Sequence, residues 1–351
     1  MDQPHPLQSA PKVQLIPRPT PVQPLLGTSP WAGRARLFVK REDATDHVYG
    51  GNKVRNLEYI LGAALAQGAR RLVTLAPLGS NFVAALAAQA GKIGMPVDVC
   101  HFVPAQSELI RAQARFSAIH GARLNIFRGG RYLGATQAQL STMARSLGRK
   151  HVYTIAPGGS SVTGILGHVN AVFELQKQIQ RGEIPEPDFI VVGVGTCGTL
   201  AGLLVGLRLT RLKSKVIGVR CVDAIICNRR RVRQLANGTL RYLQSRQRLN
   251  VGDINLCDVG GVYGLPIDGA AALMAEVRAA SGLVLDTTYT TKVFSFLKAA
   301  AGAGHLDDRD VLYWNTFSPK ALESRGLRSV EAFERPRSGT RTQKPLAIAA
   351  R

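Results

Sequence analysis

Two short stretches hold residue types whose spacing could do chemistry. In "YGGNKVRNLEY" (49–59), Lys53 follows two glycines and an asparagine at the mouth of a predicted helix over 52–66. A helix N-terminus already carries partial positive charge, so a lysine in its first turn works against helix stability and needs another reason to be there. The glycines allow the backbone to approach closely whatever that lysine touches. The second stretch, "VVGVGTCGTLAG", closes a predicted strand over 188–194 and opens a helix, with Gly193, Gly195 and Gly198 at the turn.

The glycine turn has two readings. As G-x-G-x-x-G with Asp223 near the end of the following strand, it fits a dinucleotide fingerprint and a nicotinamide-dependent dehydrogenase. Against that, the motif lies deep in the chain rather than in a first βαβ unit. As a phosphate cup, its backbone N–H groups and the hydroxyls of Thr196 and Thr199 would hold one terminal phosphate at a helix N-terminus. A lysine able to shed its proton, together with a separate phosphate cup, is what pyridoxal 5'-phosphate requires. The amine bonds one end of the cofactor and the cup anchors the other.

The elements that must position these groups alternate along the chain. Strands are predicted at 36–40, 71–75, 96–103, 123–127, 151–155, 188–194, 215–220 and 310–315. Helices are predicted at 52–66, from Ser80, and over 107–120, 137–147, 162–180, 200–209, 268–281 and 292–301. Such alternation makes an α/β protein with parallel sheets covered by helices. Ligands of these sheets sit beyond the carboxyl ends of the strands, so the loops after Leu75, Ile155, Val192 and Trp314 matter most.

A chain of 351 residues exceeds what one core usually serves, which points to two lobes. No apolar run approaches the roughly 18 residues of a membrane helix. The proline-rich N-terminus lacks the pattern of a secretory signal and reads as extended. Five cysteines without paired spacing read as free thiols of a reducing compartment, hence a cytoplasmic protein with no structural metal. Basic residues outnumber acidic ones 45 to 23, and much of the excess lies in "NRRRVRQLANGTLRYLQSRQR" and the tail after Arg325. Such charge suits nucleic acid or acidic membranes, yet no nucleic-acid motif accompanies it. It reads as a solvated helix face and a disordered tail.

Seven blocks then occur in a telling order: "VKREDATDHVYGGNKVRNLEYIL", "GSNF", "GGSS", "GVGTCGTLAGL", "YGLP", "LDTTYTTK" and "WNT". They resemble the fold-type II (tryptophan synthase beta-like) pyridoxal phosphate enzymes. The branch they are most similar to holds D-cysteine desulfhydrase, 1-aminocyclopropane-1-carboxylate deaminase and the cysteate sulfo-lyases. The resemblance runs from about Ile16 to Pro319, and its first block is the most specific. It implies a large cofactor-binding domain of residues 1–56 plus 157–325, a small domain of 57–156 and a basic tail of 326–351. It also implies a homodimer acting on a small amino acid.

By the same resemblance, Lys53 bonds the cofactor's aldehyde, Asn81 meets its ring hydroxyl, and Gly195, Thr196, Cys197, Gly198 and Thr199 hold the phosphate. Thr316 faces the pyridine nitrogen, Ser80 meets the substrate carboxylate, and Tyr263 and Tyr289 match two active-site tyrosines. A hydroxyl rather than a carboxylate at the pyridine leaves the ring a weaker electron sink, suited to elimination. The implied reaction is a D-cysteine desulfhydrase-like β-elimination giving pyruvate and ammonia. Sulfo-lyase, deaminase, racemase and β-replacement chemistries remain as alternatives, with the dehydrogenase and a non-catalytic basic binder further off.

The departures are specific. The branch's "QSNH" is "GSNF" here, so Gly79 and Phe82 replace a glutamine and a histidine. Its "HTGG" is "WNTFS", bringing Asn315, Phe317 and Ser318, and its "DPVYTGK" is "DTTYTTK". Thr290 stands where the deaminase has a glutamate, which argues against opening a cyclopropane ring. Gly79, Phe82 and Phe317 are expected to reshape the substrate pocket.

Overall fold

Ten strands form among the described residues, most of them short runs rich in Val, Ile and Leu. They are β1 (Val22–Pro24), β2 (Arg36–Arg41), β3 (Arg71–Pro77), β4 (Val97–Phe102), β5 (Ala122–Ile126), β6 (Val152–Ile155), β7 (Phe189–Val194), β8 (Lys215–Arg220), β9 (Asn255–Asp258) and β10 (Asp310–Asn315). The helices are α1 (Pro6–Ser9), α2 (Lys53–Ala66), α3 (Asn81–Lys92), α4 (Glu108–Ile119), α5 (Leu133–Ser146), α6 (Val162–Gln180), α7 (Gly198–Thr210), α8 (Arg229–Tyr242), α9 (Ala270–Ser281), α10 (Thr290–Gly302) and α11 (Lys320–Glu323). This computed structural model describes residues 6–25, 33–102, 108–126, 133–146, 148, 151–260 and 263–323; the basic tail of 326–351 lies outside them.

Two sheets result. One has six strands in the order β1-β2-β10-β7-β8-β9, and the other has four in the order β5-β4-β3-β6. Every pairing is parallel except β1 against β2. Strands β7 and β10 are apolar and buried nearly end to end, as strands covered on both faces must be. Leu166, Val172, Leu203 and Val232 of α6, α7 and α8 pack one face of the large sheet. Val277, Phe294 and Leu297 of α9 and α10 pack the other. Leu57, Leu61, Ala84 and Leu86 of α2 and α3 cover the small sheet.

Helix α6 lies against both α2 and α7. A β-carbon on Gly167 of α6 would fall 1.9 Å from the Arg55 carbonyl, and one on Gly202 of α7 would fall 2.4 Å from the His168 β-carbon. Glycine at these points brings the three helix backbones into direct contact.

A buried ionic cluster joins β2, α2 and α6. The Arg55 guanidinium donates to Glu42 at 2.8 and 2.9 Å and to both Glu174 oxygens at 2.8 Å. Lys40 donates to Glu174 at 2.5 Å, to Gln178 at 2.6 Å and to the Thr20 carbonyl at 2.8 Å. With Glu174 shared between Arg55 and Lys40 and Glu42 paired with Arg55, each charge of the cluster is compensated.

Several local features depart from the sequence expectations. Residues 6–9 form a helical turn inside the segment expected to be extended. The short strands β1 and β9 carry too few residues for a visible period. Helix α10 begins at Thr290, two residues early, because the Asp286 carboxylate accepts the Thr290 amide at 2.8 Å and its hydroxyl at 2.7 Å. Among the described residues, no helix is long and apolar enough to cross a membrane.

Candidate active site

The carboxyl ends of β3, β7 and β10 and the loop after β6 open into one cavity of about 270 Å³. Lys53, Ser80, Asn81, Gly195, Thr196, Cys197, Gly198, Thr199, Tyr263, Tyr289 and Thr316 all line it. The convergence follows from parallel strands, whose carboxyl ends share one edge of the sheet.

Lys53 is the first residue of α2, after Asn52 at the N-cap. The Asn52 amide donates to the Thr316 carbonyl at 3.3 Å, so the lysine's turn is fastened to the end of β10. The amine reaches the cavity yet is enclosed by protein, and desolvation lowers its pKa from 10.5 to about 8. Burial, then the charges of Lys53 and Arg55, holds His168 neutral behind it.

The glycine turn is stitched at both ends. Cys197 takes the left-handed conformation at φ 72° and directs the chain into α7, which begins at Gly198 with no acidic residue in its first turn. Thr199 Oγ1 accepts from Asn52 Nδ2 at 2.8 Å and lies 3.3 Å from His168 Nε2. Thr196 Oγ1 and Ser160 Oγ are 2.6 Å apart, joining the turn to the loop after β6. The Cys197 thiol shares a hydrogen bond with Cys227, leaving its backbone as its contribution to the cavity. First-turn amides without intrahelical acceptors, two hydroxyls and no carboxylate in that turn fit a dianionic phosphate.

Ser80 stands at the N-cap position of α3 with no side-chain hydrogen bond to the helix, and Asn81 is that helix's first residue. Asn81 Oδ1 accepts from Gln113 Nε2 at 2.8 Å, and Gln113 Oε1 accepts from the Tyr49 hydroxyl at 3.0 Å. Tyr263 and Tyr289 meet edge to face with ring centroids 6.2 Å apart. Burial raises both phenols, so they stay protonated proton donors. Leu75, Pro77, Phe82 and Phe102 make an apolar wall, and among the described lining residues only Lys53 and Asp223 carry charge.

Of the departures expected to reshape the pocket, Phe82 lines it, while Gly79 and Phe317 do not. Phe317 is packed away at 2% exposure, and Asn315 accepts from the Tyr313 hydroxyl in the core at 3.1 Å. Thr290 is engaged by the Asp286 cap. Gln113 and His168 lie outside the telling blocks, and Tyr49, Asn52, Ser160 and Asp286 lie inside them without a role that their spacing reveals. Each gains its role from a partner brought near by folding.

Comparison with known proteins identifies the family. The sequence profile of the family described as "Pyridoxal-phosphate dependent enzyme" matches residues 13–316. A Pyrococcus abyssi (strain GE5 / Orsay) protein, provisionally named a 1-aminocyclopropane-1-carboxylate deaminase, is 32% identical over 315 residues, 88% of this chain and 92% of its own. The D-cysteine desulfhydrase of Serratia proteamaculans (strain 568) is 30% identical over 327 residues, 90% of this chain and 96% of its own. A solved structure described as an ACC deaminase homologue superposes with a TM-score of 0.78 at 29% identity, covering 90% of this chain and 95% of that one.

Proposed function

Because the chain belongs to the pyridoxal-phosphate dependent enzyme family, we propose that it catalyses β-elimination of D-cysteine or a close relative with a neutral sulfur leaving group, releasing pyruvate and ammonia. It is an enzyme of the ACC deaminase and D-cysteine desulfhydrase type. The observation that carries the proposal is the amine of Lys53 and the anion cup of α7 lining one cavity whose remaining wall is largely apolar.

When bound, pyridoxal phosphate supplies an aldehyde that captures an amine and a ring that takes up electrons released at Cα. The residues 195–199 would hold its phosphate, Asn81 its ring oxygen and Thr316 its ring nitrogen. Ser80, at the N-terminus of α3, would hold the substrate carboxylate. Lys53 Nζ, neutral at pH values above about 8, is the base for the Cα proton. The phenols of Tyr263 and Tyr289, kept protonated by burial, would give a proton to the departing sulfur. Breaking Cα–H and Cβ–S and adding one water then accounts for pyruvate, ammonia and hydrogen sulfide.

Leaving-group charge separates this reaction from its relatives. A sulfonate in the cavity would face the Asp223 carboxylate, with no guanidinium among the described lining residues to balance it. That favours a thiol over a sulfonate. With Thr290 engaged on Asp286, a carboxylate that could assist ring opening is absent from that position.

The experiment supplies purified protein and cofactor with D-cysteine, L-cysteine, cysteate and 1-aminocyclopropane-1-carboxylate in turn, assaying pyruvate, sulfide and 2-oxobutanoate. Pyruvate and sulfide from D-cysteine, lost in Lys53→Ala and at least about tenfold slower from cysteate, are expected. Turnover of cysteate or the cyclopropane substrate with none of D-cysteine would overturn the proposal.

A further inference from the structure

Gln113 lies midway along α4, is 0% exposed, and is not among the residues lining the cavity. Its amide serves two neighbours instead. Oε1 accepts from the Tyr49 hydroxyl at 3.0 Å, and Nε2 donates to Asn81 Oδ1 at 2.8 Å. A side-chain amide can turn over, exchanging its donor and acceptor ends, unless its partners forbid it. Tyr49 disfavours it here, because a turned amide would leave the buried phenol's proton without this acceptor. Its ring lies against Phe116 of the same helix with centroids 5.0 Å apart, and burial keeps the phenol protonated. Its single proton is satisfied on Gln113 Oε1, which commits the Gln113 amino group to Asn81. Asn81 must then present its carbonyl oxygen to Gln113, leaving Nδ2 as the free end of a side chain that borders the cavity.

We propose that Gln113 is a positioning residue that, together with Tyr49, fixes the orientation of the Asn81 amide so that a hydrogen-bond donor faces the cofactor ring. The ring oxygen of pyridoxal phosphate bears negative charge, so a donor binds it and an amide carbonyl repels it. Helix α4 reaches this post because Gly79 has no side chain. A β-carbon there would stand 2.6 Å from the Ile110 Cα and 2.7 Å from its carbonyl oxygen, at a backbone φ of +74°. The exchange of glutamine for glycine at position 79 thus admits the helix that carries Gln113.

The inference rests on the cofactor and not on the substrate, so it is tested by cofactor binding alone. Dissociation constants for pyridoxal phosphate are measured on the wild type, Gln113→Met, Asn81→Ala and the double variant, with thermal melts beside them. Methionine keeps the length of glutamine and removes its polarity. Gln113→Met should weaken cofactor binding about tenfold in the wild-type background and change it little in Asn81→Ala, because the effect passes through Asn81. Equal losses in both backgrounds, or none in either, would overturn the proposal, since a purely structural glutamine acts independently of Asn81. Should Gln113→Met fail to fold, Tyr49→Phe removes only the hydroxyl that sets the orientation. Its smaller loss should likewise vanish in Asn81→Ala, and persistence there would sink the idea.

Discussion

The Tyr289 hydroxyl stands 2.8 Å from where a β-carbon on Gly195 would be, and its ring carbon Cε1 stands 3.0 Å away. The phenol therefore lies directly over the turn that forms the anion cup, filling the space a side chain at position 195 would take. Gly195→Ala should drive the tyrosine off the turn and weaken cofactor binding at least about tenfold. The thermal melt of the cofactor-free protein should change far less. Parallel losses in both would assign the glycine to folding alone.

Lys53 predicts a pH dependence. With its pKa lowered to about 8 from 10.5 by desolvation, roughly a tenth of the amine is neutral at pH 7, several hundred-fold more than for an ordinary lysine. The rate of cofactor capture by the free protein should rise about tenfold per pH unit below 8 and level off above it. The unfolded chain keeps this proton up to about 10.5 while the folded protein releases it near 8. The group's contribution therefore makes the cofactor-free protein more stable as pH rises between those values. Stopped-flow measurement of the visible band against pH checks the first statement, and urea unfolding of the cofactor-free protein checks the second.

The buried cluster around Arg55 predicts acid sensitivity. Desolvation opposes ionisation of Glu174, but the hydrogen bonds and charge of Arg55 and the charge of Lys40 outweigh it and lower its pKa to about 2 from 4.5. A folded-state pKa below the unfolded one stabilises above the higher value, and that stabilisation fades as pH falls from about 4.5 to 2. Glu174→Gln should flatten this acid limb in urea titrations. Arg55→Met leaves two buried carboxylates short of a partner and should cost about 3–5 kcal/mol at pH 7. A loss below about 1 kcal/mol would mean that water reaches the cluster.

Much of the site was legible in the sequence because it is built at strand ends, where the strand-to-helix boundary and the chemistry coincide in one short stretch. The limits of α6 and β8 could be read directly, since both are long or β-rich runs with clear punctuation. What could not be read depends on tertiary contact. Tyr49 meets Gln113 across 64 residues and Gln113 meets Asn81 across 32, and a glutamine within a helix gives no sign of either. Phe317, two positions beyond β10, shows the opposite failure. The departure from the branch's "HTGG" block suggested a changed cavity wall, but the ring is buried and does not line the cavity.

The direct backbone contacts at Gly167 and Gly202 make the protein a gauge. Lys53 starts one helix and the anion cup starts another, and both helices rest closely on α6, α2 on its Gly167 and α7, through Gly202, on its Ile165 carbonyl and His168 β-carbon. The span from amine to cup is thus set by three stiff rods pressed together rather than by flexible loops. A molecule that must bridge the two is selected by its length before any group on its ring is recognised.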